Sequence, residues 1–342
     1  MSHSSNRTKR ITIKDVAQAA GVSIATVSRI LNGQSGVSPG LIAQVQLAVE
    51  ELDYQPNAVA RALKVQESRS LGLIIPDIEN PFFPALVRGV EDYAQQKGYA
   101  LILCNTDGHP EEEAKYIKFL LSKQVDGILC VANLSFDEHS AWLKQVAVPI
   151  VLLDRRIPGA PFSTVLVDNT KGAAMAVEHL IQQGRRRIAM IGGKVQSPTN
   201  IERAEGYIQT LMLHGLPYSN ELIVNADFTF EGGFAAGKAL IDRGKNFDAV
   251  FAANDMMAIG VIECLTQHHV QVPEDVAVVG FDNIRMAGWY KPALSTISQP
   301  VYEMGQIAVK MVLEQMLDST VEAQTVMLTP ELIIRQSSLG RE

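Results

Sequence analysis

Ten side chains between positions 80 and 299 have the types to hold a small polar molecule: Asn80, Phe82, Phe83, Asp154, Arg155, Arg203, Phe228, Asn254, Asp282 and Gln299. They stand in the strings NPFF, LDR, ERAEGY, ADF, AND, GFD and TISQ. Each has a plain alternative. NPFF can be a helix cap with two core phenylalanines, Asp154 and Asp282 can cap turns, Arg203 can be a solvated helix residue, and Asn254 a simple N-cap. As a set they do more. Aromatic faces pack on the C–H faces of a sugar ring, while carboxylates, amides and guanidinium groups bond its hydroxyls. Two acids balance two arginines. A phosphate-bearing ligand would want surplus positive charge, so the set reads as a site for a small neutral sugar.

What must position them is a repeated βα pattern. Short apolar runs at 71–75, 100–104, 126–131 and 149–154 read as buried strands, separated by helical patterns at 84–97, 111–123 and 136–146. A second series has strands at 187–193, 221–224, 248–253 and 276–281, with helices near 170–183, 200–214, 231–243 and 255–268. Buried runs alternating with helices predict parallel sheets covered on both faces. Two such halves predict a bilobed clamp, with Asp154, Asn254 and Asp282 at strand ends facing the cleft between lobes. The tail adds a helix at 301–317 and two short apolar runs.

Before this body lies a different texture. Ile11–Asn32 reads as two short helices turning at Gly21. Thr12 is placed to cap the first and Ser23 the second. Val27, Ile30 and Leu31 face inward at helical spacing, leaving Ile24, Ala25, Ser28 and Arg29 outward. Ser38-Pro39 opens a third helix. This is the layout of a helix-turn-helix, whose second helix can lie in the DNA major groove. Pro56-Asn57 can start a short helix over 58–63, too short to be stable alone; a plain linker is the alternative.

Charge agrees with this division. The 342 residues carry a net charge of −7. Residues 1–64 hold seven Lys/Arg against four acids, so +3, which leaves −7 − 3 = −10 for the rest. A basic end on an acidic body fits a small nucleic-acid-binding module on a sensor. Cys104, Cys130 and Cys264 have no CxxC spacing, and the first residues lack an apolar signal core, so we expect reduced thiols in the cytoplasm. No phosphate loop, HExxH or GxSxG occurs. We therefore expect no enzyme, no cofactor and no metal site; a sugar-modifying enzyme using Asp154 and Asp282 as paired carboxylates, and a transport binding protein, are the competing readings.

The string AGVSIATVSRILN closely resembles the headpiece of the lactose-repressor (LacI/GalR) family of bacterial transcription regulators. The resemblance implies an all-α helix-turn-helix headpiece at 1–55, a hinge helix and linker at 56–70, and a sugar-binding and dimerisation domain at 71–342. It implies lobe one at about 71–167 and 300–327, and lobe two at about 168–299 and 328–342. Base-reading positions fall on Ile24, Ala25 and Arg29, and phosphate contacts on Ser23, Thr26, Ser28 and Asn32. Asn57, Ala60 and Leu63 match the hinge helix, with Leu63 as the wedge that kinks the minor groove. A homodimer on a palindromic operator is implied. The segment 71–299 looks like the periplasmic sugar-binding fold, with a pocket pattern similar to ribose-binding protein, and CNTDG and DFTFEGGF resemble ribose-operon repressors. The expected effector is D-ribose or a close pyranose. A catabolite-control regulator answering to a phosphoprotein, another sugar or a nucleobase is the alternative within the family.

Overall fold

The computed structural model describes residues 11–31, 36–54, 68–132, 143, 146–157, 159–244 and 246–339. The chain divides into two units, Met1–Ser68 and Arg69–Glu342.

In the first unit three helices pack on one another: α1 (Ile13–Ala19), α2 (Ile24–Leu31) and α3 (Pro39–Glu51). The Asp15 carboxylate reaches back to the N–H and the hydroxyl of Thr12, both at 2.7 Å, which ties down the start of α1. Gly21 has φ +59°, the left-handed conformation that lets the chain leave α1 cheaply. The Ser23 hydroxyl accepts from the Thr26 N–H at 3.1 Å and opens α2. Val16, Ala17, Ala20, Val27, Val45, Ala48 and Tyr54 form the core, with Ile30 and Leu31 packed partly against it. That small core fixes which side of α2 is left outside.

The second unit holds two six-stranded sheets. The first contains β1 (Ser70–Ile75), β2 (Ala100–Asn105), β3 (Gly127–Cys130), β4 (Ile150–Leu153), β5 (Ser163–Val167) and β11 (Thr325–Leu328), in the order β11-β5-β4-β3-β1-β2. All its pairings are parallel. The second contains β6 (Ile188–Gly192), β7 (Ile223–Asn225), β8 (Ala249–Ala252), β9 (Ala277–Asp282), β10 (Ser295–Ser298) and β12 (Glu331–Ile333), in the order β12-β10-β9-β8-β6-β7. Only β12 runs antiparallel, against β10. The expected fold class holds: a helix-turn-helix headpiece and two parallel α/β lobes.

Helices α4 (Phe82–Gln96), α5 (Pro110–Ser122) and α11 (Val301–Leu317) cover the first sheet. Helices α6 (Asn169–Gln182), α7 (Pro198–Leu213), α8 (Phe230–Asp242), α9 (Asp255–Gln267) and α10 (Arg285–Trp289) belong with the second. Close approach needs glycine: a Cβ on Gly89 of α4 would sit 2.2 Å from the Tyr302 carbonyl oxygen of α11. The chain passes between lobes three times, at Asp168, at Gln299-Pro300 and at Thr329-Pro330. Among the described residues no helix is long and apolar enough to cross a membrane.

Some elements differ from expectation. The strand at 221–224 is displaced to Ile223–Asn225 by a 3-10 turn over Asn220–Leu222. Strands β5 and β10 and the short α10 were not anticipated. In β10, Ser295 and Thr296 are fully buried, so polarity hid a core strand; tertiary hydrogen bonds make their burial tolerable. The helical pattern expected at 136–146 falls almost wholly outside the described residues, as do Asn32 and the hinge positions Asn57, Ala60 and Leu63.

Candidate functional site

A cleft of about 1320 Å³ opens between the two lobes of the second unit, and all ten candidate side chains line it. Lobe one contributes Asn80, Phe82 and Phe83 from the start of α4, and Asp154 and Arg155 from the end of β4. Lobe two contributes Arg203 from α7, Phe228 from the turn before α8, Asn254 at the start of α9, and Asp282 from the end of β9. Gln299 sits in the second crossing. Strand ends and helix starts gather at one edge of each sheet because every parallel strand delivers its carboxyl end there.

The aromatic floor is built first. Phe82 and Phe83 meet edge to face, centroids 5.1 Å apart and planes at 88°, each 5% exposed. Asn80 accepts from the Phe82 N–H at 3.1 Å, so it caps the turn that places them. Opposite, Phe228 lies flat against the backbone of Gly193, where any Cβ would fall 1.9 Å from the ring. The Asn254 amide holds the Phe228 carbonyl at 2.9 Å while its oxygen accepts from the Met257 N–H at 2.9 Å. Asn254 is thus the plain N-cap of its alternative reading and also a wall of the cleft, with one amide hydrogen remaining.

The charged groups come next. Arg203 is 4% exposed and held from several sides. Its Nε donates to Asn169 Oδ1 at 2.9 Å, Nη1 donates to the Ala253 carbonyl, and its plane stacks 3.8 Å from the Phe281 ring centroid. Asp282 lies 3.9 Å from Arg203 Nη1 and accepts from Gln299 Nε2 at 2.7 Å. Burial pushes the Asp282 carboxyl up to about 7, offset in part by Arg203 and Gln299 and raised further by Asp154. The guanidinium is lowered by the same burial, with Asp282 opposing; it stays charged, since arginine starts so high. Asp154 pairs with Arg155 at 3.4 Å. Gln299 Oε1 is buried and lacks a hydrogen-bond partner among the described residues. A buried acceptor left open costs roughly 1–3 kcal/mol, which a ligand hydroxyl would recover.

Backbone strain collects in the same place. Asp154, Phe228 and Asp282 have φ of +62°, +71° and +114°. Each non-glycine residue so held costs on the order of 1–3 kcal/mol and persists only where its surroundings enforce it. Here the Asp154 N–H is tied to the Val165 carbonyl at 3.0 Å, and Asn254 pins Phe228. The strain aims three side chains into one space.

Several residues of the site escaped sequence reading. Asp255 is fully buried behind Asp282 and accepts from Thr296 Oγ1 at 2.6 Å and the Ile284 N–H at 2.8 Å, so it holds the turn that carries Asp282. Burial drives its carboxyl well above the ordinary range. Asn169 orients Arg203 without lining the cleft. Its one sequence signal was the Asp168-Asn169 pair before a helical run. Ala132, Asp107 and Lys194 add to the lining.

In the first unit, α2 presents Ile24, 44% exposed, with Ala25 and Arg29 also exposed. Ser28 is half-buried. Ser23 and Thr26 bond each other's hydroxyls at 2.8 Å as part of the helix cap. Two apolar side chains and one arginine on an exposed helix face can meet thymine methyls and a guanine edge.

Comparison with known proteins places this geometry. Residues 12–57 match bacterial regulatory proteins of the lacI family, and residues 177–338 match the periplasmic binding protein-like domain. The ribose operon repressor of Escherichia coli (strain K12) is 38% identical over 96% of this chain and 99% of its own. Catabolite control protein A of Priestia megaterium is 36% identical over 96% and 99%. The HTH-type transcriptional repressor PurR of Photobacterium profundum is 35% identical over 95% and 98%. The solved lac repressor dimer bound to operator and the anti-inducer ONPF is similar with TM-score 0.88 and 27% identity, covering 97% of this chain and 100% of that one. A LacI family regulator from Enterococcus faecium with bound ribose gives TM-score 0.72 and 30% identity over 80% and 100%.

Proposed function

Since this chain belongs to the lacI family of bacterial regulatory proteins, we propose that it is a transcription repressor whose grip on DNA is switched by a small neutral sugar, D-ribose foremost. The headpiece reads half of a near-palindromic operator, and a homodimer reads the whole. Arg29 grips guanine, Ile24 and Ala25 touch thymine methyls, and Ser23, Thr26, Ser28 and Asn32 meet phosphates. Asn57, Ala60 and Leu63 form the hinge that enters the minor groove. The protein works in the cytoplasm, with the DNA it reads.

The observation that carries the sugar reading is the make-up of the cleft. Aromatic rings from both lobes face six acids against three arginines and one lysine, so positive charge is not in surplus, and Gln299 Oε1 waits for a hydroxyl. A molecule touching both lobes binds their closed arrangement better, and that difference in affinity is what drives a switch. No catalytic step is assigned, because Asp154 and Asp282 are each engaged with an arginine.

A gel shift on operator selected by the full-length protein, with D-ribose, D-fructose, cellobiose and hypoxanthine in parallel, tests the reading. Release by D-ribose alone supports it, and tighter binding with D-ribose makes the sugar a corepressor. Response only to another compound removes the ribose assignment. The comparable identity to catabolite control protein A keeps a second reading in view, in which a phosphoprotein is the effector. A pull-down with the phosphorylated phosphocarrier protein separates the two.

A further inference from the structure

The three crossings between the lobes are joined to the cleft by a chain of hydrogen bonds and one ion pair. Asn169 is the first residue after the first crossing, 2% exposed and absent from the cleft wall. Its Oδ1 accepts from Arg203 Nε at 2.9 Å. Its Nδ2 donates to the Val167 carbonyl at 3.3 Å, which is the last residue of β5 in lobe one, and to Glu202 Oε2 at 2.9 Å in lobe two. Arg203 faces Asp282, and Asp282 accepts from Gln299, which lies in the second crossing. The Asp168 N–H, in the first crossing, donates to the Leu328 carbonyl at 3.1 Å, at the entry to the third.

A small amide in this position has an unusual task. It spans the lobe boundary with two opposite ends, one on a cleft arginine and one on the backbone of the other lobe. A ligand that pulls Arg203 toward its hydroxyls acts on Asn169 Oδ1. The same side chain cannot follow without moving Nδ2 against the Val167 carbonyl. Both ends are buried, so neither bond can be exchanged for water.

We infer that Asn169 is the coupling residue of the switch: it converts engagement of Arg203 by the effector into a rotation at the first crossing, and so into the angle between the lobes. This rests on the sugar-switched reading above. Asn169 is a positioning residue, not a ligand contact. Its signature is therefore loss of response at saturating effector, separate from loss of effector affinity.

The test reverses the bonding sense at one point. In the double variant Asn169→Asp/Glu202→Gln, position 169 keeps an acceptor for Arg203 and position 202 now donates to it. Net charge is unchanged and volume nearly so. The bond to the Val167 carbonyl is replaced by a carboxylate oxygen facing that carbonyl, and the negative charge moves from position 202 to position 169 beside Arg203. Calorimetry measures D-ribose affinity, or that of whichever compound of the panel releases the wild type. Fluorescence anisotropy measures operator affinity with and without that compound at saturation. Operator affinity without effector is expected to stay within about threefold of wild type, and effector is supplied at saturation for the variant's own measured affinity, while the effector-induced change in operator affinity shrinks roughly 3- to 10-fold. Asn169→Ala, which removes both ends, is expected to lose effector affinity as well. A double variant that responds in full overturns the role of Asn169 and leaves the switch itself standing. A wild type that responds to no compound of the panel overturns the switch, and this inference with it.

Discussion

On the proposed function, the protonation of Asp282 should make effector affinity depend on pH. Its carboxyl is raised from 3.8 to about 7 by burial. The groups that face it are Arg203 from α7, Gln299 from the second crossing, Asp154 from the end of β4 and Asp255 from α9. In the proposed function a sugar hydroxyl donates to the carboxylate, so binding would draw on the charged form. Apparent Kd then scales as 1 + 10^(pKa − pH), which is about 11 at pH 6 and about 1.1 at pH 8, hence roughly tenfold tighter binding at the higher pH. Calorimetry with D-ribose across this range reads it directly, and buffers of different ionisation enthalpy should reveal net proton release near pH 7. A Kd constant within about twofold from pH 6 to 8 would refute the reasoning, as would an Asp282→Asn variant that keeps the full slope. The stability of the sugar-free protein runs the other way. An acid raised by folding contributes stability that is complete below its unfolded value, 3.8, and is lost as pH climbs to the folded value of about 7.

Three further outcomes follow from the geometry. Arg29→Ala should weaken binding to the selected operator by about 1–3 kcal/mol in a gel shift while barely changing binding to random duplex, because it removes base reading rather than phosphate contact; equal loss on both would contradict that role. Gly193→Ala places a methyl where the Phe228 ring lies, 1.9 Å from its nearest carbon, and should cost at least about tenfold in sugar affinity together with a lower melting temperature, since the ring walls the cleft and also packs partly against the core of the second lobe. Gly89→Ala drives its methyl against the Tyr302 carbonyl of α11, 2.2 Å away, and should destabilise the second unit by about 1–3 kcal/mol in chemical denaturation, leaving operator contacts of the headpiece untouched.

Much of this was legible in the chain. Apolar runs such as LGLII and VAVVGF can only be buried strands when helical patterns separate them, since both faces must be covered. Thr12, Gly21 and Ser23 set the ends of two helices by local hydrogen bonding and by a left-handed turn, which need no distant partner. What stayed hidden was polar and buried at once. Ser295 and Thr296 look like surface residues, yet they lie in β10 because Asp255, Ser337 and Arg335 supply their partners from far along the chain. Asp255 itself reads as a helix-start acid and is instead the support beneath Asp282.

By itself, then, the sequence determined the local elements, their alternation and the chemical types available for a cleft and a DNA-reading helix. These follow from side-chain periodicity and from capping, which act over a few residues. Only the tertiary structure decided that residues from Asn80 to Gln299 line a single space, that Arg203 faces Asp282 at 3.9 Å in a buried setting, and that Asn169 joins that pair to the crossing between lobes. Those relations depend on three passages of the chain from one sheet to the other, and the contacts they create have sequence separations that no local pattern encodes.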